Sequence, residues 1–140
     1  MQLPIKAHYA TVAMLALAQQ FASSQPVTAR AIADEHDIPA QFLVQILQQL
    51  RAAGMITSTR GSSGGFRLER APSTISVADI VEAVCPSTQS PSMPSASALN
   101  RIAQEVWVEL NEIEHQHLSG LKLDQLCERV VATTESMFYI

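Results

Sequence analysis

The chain has 140 residues, 47% of them apolar, with a formal net charge of −4. That is enough for one domain with a core, with room for an appended oligomerisation helix. Its two cysteines, Cys85 and Cys127, lie far apart and form no C-x-x-C, which argues against a disulfide framework. The apolar stripes of residues 1–21 are interrupted by His8, Gln19 and Gln20, so neither a signal peptide nor a membrane span is expected, and the expected compartment is the cytoplasm.

Charge is spread unevenly. Residues 1–72 hold six Lys/Arg against four Asp/Glu, and residues 73–140 hold three against nine. A basic half followed by an acidic half suits a polyanion-facing part and a solvated far side.

In chain order, Tyr9, Val12, Ala13, Leu15, Ala16 and Leu17 recur at roughly helical spacing, predicting an Ala-rich, largely buried helix over residues 6–22. Ser23 to Pro26 breaks it. Thr28 is placed to cap a second helix that turns Ile32 and Ala33 inward. Asp37, Ile38 and Pro39 form a turn, and Pro39 fits the start of a third helix over residues 39–53. That helix puts Phe42, Leu43, Ile46, Leu47 and Leu50 on one face, and Gln41, Gln45, Gln48, Gln49 and Arg51 on the other. Gly54 suits the residue just past its end.

Two short strands, residues 55–59 and 66–68, are joined by RGSSGG and read as a hairpin. No acidic residue occurs between Arg51 and Glu69, although the chain as a whole is acidic. Ala71 and Pro72 close the hairpin. Ser76 then caps a helix over residues 77–84, with Asp79 and Glu82 near its positive end. Residues 86–98 form an uncharged Ser/Pro linker, expected to be a flexible loop. From Leu99, the series Leu99, Ile102, Val106, Leu110, Ile113 and His117 steps by three or four, predicting an amphipathic helix of about five turns. A last, shorter helix is expected over residues 123–132, capped near Asp124, with no assignment for the tail.

Three features in this order resemble the Rrf2 family of bacterial transcriptional regulators: the helix-turn-helix, the RGSSGGF hairpin and the long helix. The matching stretches are KAHYATVAMLALA from Lys6, IADEHDIP from Ile32, QFLVQILQQLRAAGMITSTRGSSGGFRL from Gln41 and SVADIVEAV from Ser76. The resemblance implies a mainly α fold with a small β-hairpin wing: a winged helix-turn-helix over residues 1–84, the loop over 85–98, and a dimerisation helix with a short C-terminal helix over 99–140. It also implies a homodimer on an inverted-repeat operator in double-stranded DNA. Well-studied members hold an iron–sulfur cluster through three closely spaced cysteines before the long helix. Here residues 86–98 contain none, so no cofactor and no metal site is expected, and the signal would come from a small molecule, a protein or nothing at all.

The candidate site follows. A helix fits the major groove and a glutamine amide pairs bidentately with adenine. Position in the family motif points to Gln41, Phe42 and Gln45, with Ala40 close to the backbone; Val44 cannot accept from cytosine. Arg60 at the hairpin tip suits a narrow minor groove. Gly61, Gly64 and Gly65 allow a tight turn against the sugar-phosphate wall, where Ser62 and Ser63 can donate to phosphate. Arg67, Thr28 and Thr59 are further phosphate candidates, as are Arg51 and Lys6. Leu99, Ile102, Val106, Trp107, Leu110 and Ile113 are expected at a dimer interface.

Two competing readings remain. One is a redox or iron–sulfur sensor of the same fold, with atypical ligands drawn from Cys85, His8 or His36. The other is a winged-helix protein-interaction module. His115 and His117 point about 200° apart on a helix and cannot share a metal. No phosphate loop, nucleophile elbow or paired acids argue for an enzyme.

Overall fold

The computed structural model describes residues 3–86 and 97–138. Helix α1 (Ile5–Gln19) buries Ala7, Ala10, Ala13, Met14, Leu17 and Ala18, and its small residues let neighbouring helices approach closely. It ends three residues before the expected 22. There the N–H groups of Gln20 and Phe21 switch to bonds three residues back, on Leu17 and Ala18, and Ser24 turns left-handed at φ 57°.

Helix α2 (Ala29–His36) starts where Thr28 Oγ1 accepts from Ala31 N at 3.1 Å. Such a cap is worth about 1 kcal/mol. Asp37 reverses the chain at φ 55° and Ile38 drops into the core. Helix α3 (Ala40–Ala52) buries Leu43, Ile46, Leu47 and Leu50. Its end is closed by two bonds, Gly54 N to Arg51 O at 3.0 Å and Met55 N to Leu50 O at 3.1 Å. This pairing requires the positive φ of 76° that Gly54 adopts.

Strands β1 (Ile56–Thr59) and β2 (Gly65–Leu68) pair antiparallel, with Ile56 opposite Leu68 and Ser58 opposite Phe66. Ile56 and Leu68 therefore share the face that meets the core. A single 3-10 turn at Pro72–Thr74 leads to α4 (Val77–Val84). At its start Ser76 accepts from Asp79 N at 3.1 Å while Asp79 Oδ2 accepts from Ser76 N at 3.0 Å, a complete capping box.

Helix α5 (Ala98–Ser119) has 22 residues, and α6 (Leu123–Phe138) has 16. Between them the chain returns to the domain: Val77 N donates to Leu121 O at 2.9 Å and Leu123 N to Ile75 O at 3.0 Å. Leu123 is fully buried in the core shared by α1, α3 and α4. Two expectations change here. The last helix runs past 132 because TTES contains no Gly or Pro to stop it, and Thr134 Oγ1 bonds back to Val130 O at 3.0 Å. Its first turn is met by Gln125, whose Oε1 accepts from Lys122 N at 3.3 Å, rather than by Asp124. Most of the expected 85–98 loop lies outside the described residues.

Candidate nucleic-acid interface

Four buried side chains of α3 fix which face looks outward. With Leu43, Ile46, Leu47 and Leu50 inside, the side chains of Ala40, Gln41, Val44, Gln45 and Gln48 are exposed. Phe42 is half-buried and meets Tyr9 of α1 edge-on, with ring centroids 5.7 Å apart and planes at 79°. Its ring thus also fastens α3 to α1. Gln49 is half-buried too, and its Oε1 is buried without a hydrogen-bond partner among the described residues. Lys6, at the start of α1, lines a shallow groove with Gln45, Gln48, Gln49 and Ala52, so one cation stands beside the glutamine face.

The wing loop runs from Arg60 to Gly64, and Gly64 N closes it on Gly61 O at 3.0 Å. Arg60, Gly61, Ser62 and Ser63 are all exposed, as is Thr59 at the end of β1. Arg67 is exposed as well, but its guanidinium donates to Ser24 O at 3.4 Å across to the turn after α1. By strand alternation Thr57, Thr59 and Arg67 occupy the hairpin face opposite Ile56 and Leu68.

A feature missed in the sequence joins the two halves of the site. Val27, just ahead of the Thr28 cap, forms an antiparallel bridge with Phe66 of β2. Exposed Thr28 at the α2 N-terminus is thereby set beside the hairpin. The signal available was slight: one β-branched residue between Pro26 and a helix cap. Arg51 is exposed in the last turn of α3.

Helix α5 contributes no buried residue to the subunit. Leu99, Ile102, Val106, Trp107 and Ile113 are more than half exposed, with Leu99 at 83%, and Leu110 is at 37%. Val108, outside the expected stripe, is exposed on the far side.

The chain's two thiols lie apart in sequence, at positions 85 and 127. Cys85 is the C-cap residue of α4 and Cys127 lies on α6; both are free and half-buried. Burial, and secondarily the Asp124 carboxylate, pushes the Cys127 thiol above its ordinary pKa, which disfavours the thiolate that binds metal. Among the described residues no three His, Cys, Asp or Glu side chains gather around a point where a metal could sit. His8 is exposed with its ring 6.0 Å from that of Tyr9, exposed His36 ends α2, and His115 Nε2 lies 3.4 Å from Ser119 Oγ. Two cysteines on separate helices do not fit a cluster that needs three thiolates from one segment. Among the described residues, no helix is long and apolar enough to cross a membrane.

Comparison with known proteins gives the same architecture. The transcriptional regulator IscR of Aliivibrio salmonicida is 30% identical over 130 residues, spanning 90% of this chain and 77% of its own. The structure of CymR, the global cysteine regulator of B. subtilis, superposes with a TM-score of 0.79 at 22% identity, over 92% of this chain and 98% of that one; at this identity the likeness is one of fold. T. potens IscR superposes with a TM-score of 0.78 at 28% identity, over 93% of this chain and 88% of that one. A family profile described as "Iron-dependent Transcriptional regulator" matches residues 3–129. These relatives are regulators rather than enzymes, and the six helices with their hairpin are a winged helix-turn-helix. The chain belongs to the Rrf2 family of DNA-binding transcriptional regulators.

Proposed function

We propose that two copies of the chain pair through α5 and bind an inverted-repeat operator, repressing transcription without an iron–sulfur cluster. The observation that carries this is the α5 stripe: a 22-residue helix with no buried residue and at least five large apolar side chains open to solvent. A second copy of the same stripe covers it with matching chemistry, and the resulting twofold axis presents two reading heads. A symmetric reader needs half-sites about one helical turn apart. Repression follows most directly, because a bound dimer overlapping a promoter excludes polymerase without needing any further surface.

The glutamine face of α3 enters the major groove through Gln41 and Gln45, with Phe42 at its edge. Arg60 enters the minor groove, and Thr28, Thr59, Ser62, Ser63 and Arg67 line the phosphates. The test is selection of bound fragments from random DNA, with protein purified both anaerobically and in air. Palindromic sites, a colourless protein and an affinity indifferent to iron chelation are expected. Visible absorbance coupled to DNA affinity overturns the cluster-free reading; failure to retain any DNA at low salt overturns the operator reading.

A further inference from the structure

The outward row of α3 is not uniform. Gln41, Val44 and Gln48 are spaced i, i+3 and i+7, so they stack along one ridge of the helix, and all three are exposed. Val44 is the apolar member, 47% exposed, with amide side chains on either side. Valine is a poorer helix former than glutamine, because its branched Cβ crowds the preceding turn. An isolated apolar residue on a protein surface is common. This one stands in the middle of the ridge that the burial of Leu43, Ile46, Leu47 and Leu50 turns outward.

The bases offer that ridge only one apolar group in the major groove, the 5-methyl of thymine. Cytosine presents an N4 donor there, which an isopropyl group can neither accept from nor leave hydrated. We infer that Val44 reads the 5-methyl of one thymine in each half-site, making it a specificity-determining residue of this operator contact. Gln41, on the same ridge, is suited to pair with adenine through N6 and N7, so the step under the ridge is an A·T-rich one. This inference rests on the operator reading above and adds a base preference to it.

The experiment uses the full chain and a selected operator, replacing each thymine singly by deoxyuridine, which removes the 5-methyl and nothing else. One position per half-site is expected to lose about fourfold in affinity when its methyl is removed, or about fifteenfold when both half-sites are altered. Val44→Ala, which alters both subunits at once, loses about fifteenfold on the thymine site and becomes insensitive to uracil at that position alone. Val44→Ile keeps the sensitivity. Thermal melts of both variants, at an exposed position, report that the fold is intact. If no thymine distinguishes the wild type from Val44→Ala, the methyl contact is overturned while operator binding stands. If the wild type retains no DNA at low salt, both readings fall together.

Discussion

Val27 and Phe66 exchange two backbone hydrogen bonds, Val27 N to Phe66 O at 2.9 Å and Phe66 N to Val27 O at 2.7 Å, and so tie the wing to the residue ahead of the α2 cap. The tie depends on Gly65. A Cβ at that position would lie 2.7 Å from both the carbonyl carbon and the oxygen of Val27, and Gly65 holds φ at 151°. Gly65→Ala therefore has to open the bridge or strain the backbone, at a cost of about 1–3 kcal/mol. A lower melting temperature is expected, with DNA affinity falling further than the same melting change achieves elsewhere in the core. An unchanged melt would show that the bridge carries no stability.

Ser76 is a buried polar residue, 3% exposed, and its hydroxyl accepts from Asp79 N. Ser76→Ala leaves that donor without a partner at the head of α4. The expected loss is about 1–2 kcal/mol of unfolding free energy by urea titration. DNA affinity measured well below the transition is expected to be unchanged, since α4 presents no candidate contact.

Arg60 extends from the wing loop into solvent, so removing it leaves no cavity. Arg60→Ala is expected to melt like the wild type. Its affinity for the operator should fall, and the slope of log affinity against log salt should decrease by about one unit per subunit. For the proposed dimer, roughly four to six phosphate contacts predict a drop of about a hundredfold or more between 50 and 200 mM salt. A flat salt response would contradict phosphate contact by the wing.

How much of this was legible beforehand depends on the range of the signal. The α3 face, the Thr28 cap and the Ser76 capping box are all written in residues within one or two turns of one another. Those elements fall close to where the spacing put them. The Val27–Phe66 bridge joins residues 39 positions apart, and nothing local in Val27 announces a strand. The return of Leu123 into the core was equally silent, because one leucine at a helix start looks the same whether it meets its own domain or solvent. The run of α6 past 132 was missed for the converse reason: TTES has weak helix propensity, and length there follows from continuing a helix already nucleated.

Ile102 and Val106 are one turn apart on α5 and both open to solvent in the isolated subunit. Ile102→Glu removes little packing within the subunit, where Ile102 is 60% exposed, so the monomer fold should survive. Placed against a second copy of the same stripe, the two new carboxylates meet each other or bare apolar surface, and neither is tolerated. Sedimentation is expected to show a shift from dimer to monomer at micromolar concentration, with unchanged helical content and a steep loss of operator affinity. A variant that stays dimeric would move the interface off α5.

Cys127 gives a pH dependence whose sign follows from its surroundings. Burial first, and the Asp124 carboxylate second, raise its pKa above the ordinary thiol value. The folded chain therefore keeps this proton to a higher pH than the unfolded chain does. Below the unfolded thiol's pKa both states are protonated and the group contributes no slope. As pH rises through and beyond that value, the unfolded state ionises first and stability declines. Cys127→Ala or Cys127→Val should lessen that alkaline decline in urea midpoints. Alkylation at neutral pH should be slow in the folded protein compared with a free thiol in denaturant. Fast modification of Cys127 in the native chain would mean that its half-buried side chain is not shielded by the packing of α6 on the core.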